Sequence, residues 1–313
     1  LIMMACVFSG QGAQKPGMGF DLYESDPAAR EIYRIAENVL GRDLLTLDEQ
    51  QLVQTRFAQP AIVAMSLSVW SAFVRQAPKV SVMAFAGFSL GEYSALGAAG
   101  VLEPPDLLAL VQERARLMQE VAETINGEMY AVMGLDGSVV SELLEQASFA
   151  GKVFAVNFNS PGQTVIAGLA DEMPACCRML RTAGAGKIRK LQVSGAFHTP
   201  LMQPAATKLK DFARSLNFRP AKTPLYANNS AEPLPADVDW PEYLAQHICQ
   251  PVRWSDEVSR LGQDGCDLFL EFGPGKVLTG LIRRILPDVT ALPVENKASL
   301  DAALSAVADK VRT

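Results

Sequence analysis

The sequence predicts an α/β chain carrying a small α+β insert, and three observations predict it. Short apolar runs alternate with amphipathic helical stretches towards both ends of the chain, as in "ACVF" (5–8), "VMAFAG" (82–87) and "CDLFLEF" (266–272). Glycine-bearing loops follow these runs, where a strand would hand over to a helix. Between about Asn126 and Ser194 the texture changes to four strand-like and two helix-like runs in the order β-α-β-β-α-β, that of a ferredoxin-like unit. The expected division is a core of residues 1–125 and 196–313 around an insert of residues 126–195.

The elements follow in order. Ala5 to Phe8 reads as a buried strand running into the glycine-rich loop "SGQGAQKPGMG". Asp26-Pro27 starts the amphipathic helix "DPAAREIYRIAENVL". "QPAIVAMSLSVWSAFVRQ" is apolar nearly all round, which predicts a buried helix. "VMAFAG" is a central strand, "EYSALGAAGV" a helix, and "EPPDLLALVQERARLMQEVAETI" a longer one. In the insert, "EMYAVMGL", "KVFAVNFNS", "QTVIAGL" and "KIRKLQVS" are strands, while "SVVSELLEQAS" and "EMPACCRMLRTAG" are helices. Alternation then resumes to a terminal helix, with "AEPLPADVDWPEY" a proline-rich surface loop.

Composition narrows the function. The 313 residues are 49% hydrophobic and 20% charged, ordinary for a globular protein. A net charge of -6 argues against general nucleic-acid binding. No uninterrupted apolar stretch reads as long enough to span a bilayer, and no basic segment precedes an apolar leader, so no membrane partner is expected. Leu1 and Ile2, ahead of Met3, read as vector-derived. Five scattered cysteines without a CxxC pair suit a reducing cytoplasm and argue against zinc. Only His198 and His247 are available for imidazole chemistry.

Gly87-Phe88-Ser89-Leu90-Gly91 is a G-x-S-x-G between a predicted strand and helix, the signature of a nucleophile elbow; a plain strand–turn–helix joint has the same pattern. At an elbow, the helix N-terminus would present unpaired N–H groups to an oxyanion. A serine nucleophile needs a base. His198 is preferred because its loop follows a predicted strand, whereas His247 lies at a predicted helix end. Arg114 falls on the apolar stripe of Leu107, Val111, Met118 and Val121, so its guanidinium faces inward and needs an anion. That anion is either an Asp or Glu of the fold or a substrate carboxylate gripped by the bidentate fork. Gly10-Gln11-Gly12 forms a loop able to present backbone N–H groups, but neither GxGxxG nor GxxxxGK[ST] occurs.

These pieces together resemble the malonyl-CoA:acyl carrier protein transacylases and the related acyltransferases of polyketide synthases. The resemblance rests on "FSGQGAQKPGMG", "GFSLGEYSAL", "RARLMQE", "VNFNSPGQTVIAG", "GAFHTPLM", "PVRW" and "EFGPGKVLTGL", in the family's order along the whole chain. It implies an α/β-hydrolase-like core with a ferredoxin-like subdomain and a site in the cleft between them. By the same resemblance Ser89 is the acyl-accepting nucleophile, His198 its base, and Arg114 the grip on a malonyl carboxylate. The Gln11 and Leu90 N–H groups form the oxyanion hole, and Ala196-Phe197-His198 matches the form associated with malonyl selection. Two positions depart from the family: Phe88 replaces its usual histidine, and His247 stands where a glutamine carbonyl commonly orients the catalytic histidine. The expectation is a free-standing malonyl transferase, monomeric and without cofactor or metal, whose partners are malonyl-CoA and an acyl carrier protein. Its rivals are an acyl hydrolase on the same scaffold and a non-catalytic carrier-docking module.

Overall fold

The computed structural model describes residues 3–145, 148–193 and 195–312. Leu1 and Ile2, the tail of the helix expected through Ser148 (at Gln146 and Ala147), and Ser194 at the end of the last expected insert strand lie outside the described residues. The strands are β1 (Met4–Phe8), β2 (Ala84–Gly87), β3 (Gly127–Met133), β4 (Val153–Ser160), β5 (Gln163–Leu169), β6 (Lys187–Lys190), β7 (Leu268–Phe272) and β8 (Thr290–Val294). They form a parallel sheet of order β2-β1-β7-β8 and a separate antiparallel sheet of order β4-β5-β3-β6.

The parallel sheet is covered on both faces, so β1 and β7 are apolar or buried at every position rather than alternating. Side chains still alternate in direction. Met4, Cys6 and Phe8 join the larger core with Leu268, Leu270, Phe272 and helix Thr55–Gln76. Ala5 and Val7 face the other way, onto Trp254, Val258, Leu278 and Ile282 of helices Trp254–Gln263 and Val277–Ile285. Helix Thr55–Gln76 has the length and mean hydropathy (1.5) of a membrane span, contrary to the expectation that no stretch reaches it. In this fold 78% of its apolar window is buried in the protein, which accounts for an apolar surface on every side.

In the antiparallel sheet, Val132 and Ile166 pack on one face with Val140, Leu144, Met173, Cys176 and Leu180 of helices Gly137–Leu144 and Met173–Thr182. Met129, Ala131, Val165 and Ala167 face the main core. β4 is stitched to the other half of the molecule where Phe158 N–H donates to the Val252 carbonyl (2.9 Å) and Val252 N–H to that of Val156 (2.8 Å).

Two of the boundaries that differ from the sequence reading bear on the site. β6 stops at Lys190, and Leu191, Gln192 and Val193, expected as strand, lie outside it. The proline-rich loop ends early: Trp240–His247 is helical, with the Asp239 carboxylate accepting from Glu242 N–H (3.2 Å) and Pro241 in the first turn. Trp240 and Tyr243 are buried, and that burial outweighs the local signal for a loop.

Candidate active site

β2 delivers the chain to Ser89 and helix Leu90–Ala98 carries it away. The turn is tight enough that both flanking glycines are sterically required. A Cβ on Gly87 would sit 2.1 Å from the Gly91 carbonyl carbon, and one on Gly91 would sit 2.0 Å from the Phe8 oxygen. Ser89 itself takes φ 51° and ψ −107°, a backbone region that costs an ordinary residue about 1–3 kcal/mol. The strain turns its hydroxyl towards His198, whose Nε2 accepts from Oγ at 2.6 Å.

The imidazole tautomer follows from its other side. Nδ1–H donates to the carbonyls of His247 (3.2 Å) and Gln250 (3.0 Å), which can only accept. Nε2 therefore carries the lone pair that faces the serine. The His247 carbonyl lies where the resemblance implies an orienting carbonyl; the Gln250 carbonyl, nearer still, was not anticipated. Burial, then the nearby Arg114 charge, lower the His198 pKa to about 4. The ring is neutral and able to accept a proton at physiological pH.

Arg114, on helix Pro104–Thr124, is 1% exposed. Its guanidinium lies 4.9 Å from the centre of the Tyr93 ring, and its Nε and Nη2 have no hydrogen-bond partner among the described residues. No ion pair to an Asp or Glu within 4 Å is found for it among the described residues, so the internal salt bridge left open by the sequence is not what holds it. Burial, opposed in part by Tyr93 and Glu92, lowers its pKa.

Ser89, His198 and Arg114 line one pocket of about 90 Å³ with Gln11, Phe88, Leu90 and Phe197, so every residue singled out from sequence except His247 borders it. His247 lies behind the pocket, its ring edge-on to that of His198 at 5.7 Å. The N–H groups of Gln11 and Leu90 make no hydrogen bond among the described residues. Phe88 packs edge-on against Trp254 at 5.7 Å and is among the residues that line the pocket. The remaining lining includes Gln59, Met118, Met129 and Asn157. Gln59 and Asn157 each bury a side-chain oxygen without a partner among the described residues. A glutamine in the otherwise apolar run "QPAIVAM" was the sequence signal for the first; nothing set Asn157 apart from the other polar residues of β4.

Behind the elbow lies a buried polar cluster. Tyr243 Oη donates to the Glu92 carboxylate, as does the Asn228 N–H (2.9 Å). Glu257 accepts from Asn228 Nδ2 (2.9 Å). Burial raises the Glu92 pKa to about 7 and that of Glu257 well above the usual carboxylate range. His247 Nε2 lies 3.3 Å from Asn228 Oδ1, and burial holds its ring neutral.

Comparison with known proteins agrees with this geometry. Residues 5–301 match the family model described as the acyl transferase domain. A malonyl CoA-acyl carrier protein transacylase of Haemophilus influenzae is 38% identical over 305 residues, covering 95% of this chain and 97% of its own length. A crystal structure of a malonyl-CoA:acyl carrier protein transacylase from Xanthomonas oryzae superposes with a TM-score of 0.92 at 37% identity, covering 97% of this chain and 98% of that one. A malonyl-transacylase solved in complex with its type II PKS acyl-carrier protein superposes with a TM-score of 0.91 at 36% identity, covering 97% and 99%. With a family model that spans nearly the whole chain and relatives above 30% identity over nearly all of both lengths, this protein belongs to the acyl transferase family.

Proposed function

We propose that the chain transfers a malonyl group from malonyl-CoA to the phosphopantetheine thiol of an acyl carrier protein, by a ping-pong route through a malonyl-serine. Ser89 Oγ gives its proton to His198 Nε2 and attacks the thioester carbonyl. The oxyanion rests on the Gln11 and Leu90 N–H groups. His198, held by the His247 and Gln250 carbonyls, returns the proton to the departing thiolate of coenzyme A. The carrier's thiol then repeats the sequence in reverse, with His198 again taking the proton. No acidic third member is needed, because the imidazole is already oriented by main-chain oxygens.

The observation that carries this reading is Arg114: a buried cation without an ion-paired carboxylate, in the wall of the pocket that holds Ser89. A malonyl carboxylate supplies the missing anion, with Phe197 beside it. A hydrolase for uncharged acyl chains would gain nothing from the cation and would bear the cost of burying it. The relatives named for this activity, and the neighbour solved with its carrier protein, support the same assignment.

In this reading residues 1–125 and 196–313 are an α/β-hydrolase-like core and residues 126–195 a ferredoxin-like subdomain, supported by the β-α-β-β-α-β order and strand order β4-β5-β3-β6. The enzyme works in the cytoplasm as a monomer, using no cofactor or metal. The test is intact-mass analysis after mixing with malonyl-, methylmalonyl- or acetyl-CoA, followed by addition of a holo acyl carrier protein. A malonyl adduct on Ser89 that moves to the carrier is expected. An adduct that disappears into water at the same rate with or without carrier would favour the hydrolase.

A further inference from the structure

We propose that Asn228 is the positioning residue of the nucleophile: its side-chain carboxamide stands in for a missing strand and holds Ser89 in its strained conformation. The inference rests on the assignment of Ser89 as nucleophile and concerns how that residue is kept reactive.

The argument starts from the register beside β2. The segment ahead of Asn228 runs parallel to β2 and pairs with it at Phe85: Phe85 N–H donates to the Pro224 carbonyl (2.8 Å), and Tyr226 N–H donates to the Phe85 carbonyl (2.9 Å). A regular parallel ladder would next have Asn228 N–H donate to the Gly87 carbonyl. It does not, because that N–H is turned to the Glu92 carboxylate (2.9 Å). The side chain fills the vacated place. Nδ2 donates to the Gly87 carbonyl at 2.6 Å, and Oδ1 accepts from Ser89 N–H at 2.8 Å. One carboxamide thus grips both sides of Phe88, the pair of contacts a neighbouring peptide would make. These two contacts also fix which end of the amide is which, since a carbonyl needs a donor and an N–H needs an acceptor.

The clamp is itself held rigidly. Asn228 is 1% exposed, its second Nδ2 proton goes to Glu257, and its carbonyl accepts from Arg253 N–H at 2.7 Å. Every polar atom of the residue is engaged. Strained backbone persists only where surrounding contacts over-determine it. On the far side of the elbow, Phe88 N–H to Phe8 and Glu92 N–H to Ser89 (3.0 and 3.1 Å) are the ordinary bonds of sheet and helix. The Asn228 pair is the side-chain contact added at the strained residue. By engaging Ser89 N–H, it fixes the Phe88–Ser89 peptide on the N-terminal side of the strained residue.

The experiment compares Asn228→Ala and Asn228→Asp with the wild type in single-turnover acylation by malonyl-CoA. A fluorophosphonate probe for reactive serines is run in parallel. The probe separates the two claims: if the wild type labels with it but takes no malonyl, the substrate reading fails while Asn228 can still be judged. Asn228→Ala should lose about 10²-fold in acylation and in probe labelling, the scale of a reacting atom displaced by an ångström, with KM changed less than threefold. Asn228→Asp keeps an acceptor for Ser89 N–H, and its protonated carboxyl can still donate to Gly87. It should therefore approach wild-type rates at low pH and lose activity as the introduced carboxyl ionises. The groups facing it are Glu92, Glu257, Tyr243 and His247, so the ratio of variant to wild type is read across pH to cancel their shared titrations. Wild-type kcat in Asn228→Ala, or a loss confined to KM, would overturn the proposal. If that variant does not fold, a pH-independent ratio for Asn228→Asp would overturn it.

Discussion

Replacing Arg114 by alanine should separate malonyl from acetyl transfer. The guanidinium is 1% exposed, and two of its nitrogens lack hydrogen-bond partners among the described residues. A malonyl carboxylate bound there completes a buried pair, and breaking such a pair costs about 3–5 kcal/mol. At 1.36 kcal/mol per decade this is a loss of roughly 150- to 5,000-fold in kcat/KM for malonyl-CoA. Acetyl-CoA presents no free carboxylate, so its acylation rate should hold or rise once the unpaired cation is gone. Arg114→Lys should recover part of the malonyl rate, since it keeps the charge but not the fork. Single-turnover acylation followed by intact mass reads both substrates in one format. Equal losses for malonyl and acetyl would show that Arg114 serves the fold, and the malonyl assignment would lose its physical basis.

Ser89→Ala should take up no malonyl mass and keep its melting temperature within a few degrees. His198 should set an acid limb near pH 4 in acylation kcat/KM, because the base is lost as pH falls through its lowered pKa, and the loss of the base with a midpoint near 6.5 would contradict the burial argument. His247→Gln and Phe88→His should each keep acylation within about tenfold, ~1.4 kcal/mol, because the first retains the carbonyl and the second retains a ring against Trp254; orders of magnitude in either direction would mean those side chains enter the chemistry. Charge reversal in the two exposed basic runs, Lys187, Arg189 and Lys190 and Arg283 and Arg284, should raise the carrier's KM and leave malonyl-CoA acylation unchanged, and an unaltered KM would remove these residues from carrier docking.

Ser89 was legible as a candidate because an elbow imposes requirements at adjacent positions: a strand, two glycines with no room for a Cβ, a hydroxyl, then a helix. Arg114 was legible because helical periodicity alone places it inward. What periodicity does not encode is contact between distant segments. Asn228 meets Ser89 across 139 residues of sequence, from a loop whose polar residues "NNS" look alike. Gln250 meets His198 through a carbonyl, which every residue has, and the sequence reading gave the orienting place to His247 although Gln250 is itself a glutamine and its carbonyl is the nearer. The helix beginning at Trp240 was a different kind of miss. Asp239 followed by Trp-Pro-Glu is a start signal, but neighbouring prolines read as loop until tertiary burial of Trp240 and Tyr243 decides between them.

The charges around the elbow fit an anionic acyl group. Four titratable side chains are buried within contact of one another or of Asn228: Glu92, Tyr243, His247 and Glu257. Burial favours the neutral form of each, holding both carboxyls up and the imidazole down. His198 is neutral for the same reason. Arginine cannot respond in that way, because its pKa is too high for any shift of this kind to discharge it. Glu92, the carboxyl that Arg114 feels most directly, is shared with Tyr243 and the Asn228 N–H and has its pKa raised to about 7, so it neutralises the guanidinium only in part. The pocket wall therefore keeps a net positive charge close to the serine while the acid-base partner stays uncharged. On the proposed reading a carboxylate-bearing thioester would be drawn to that charge, and its carboxylate would offset the Arg114 charge that, after burial, lowers the His198 pKa.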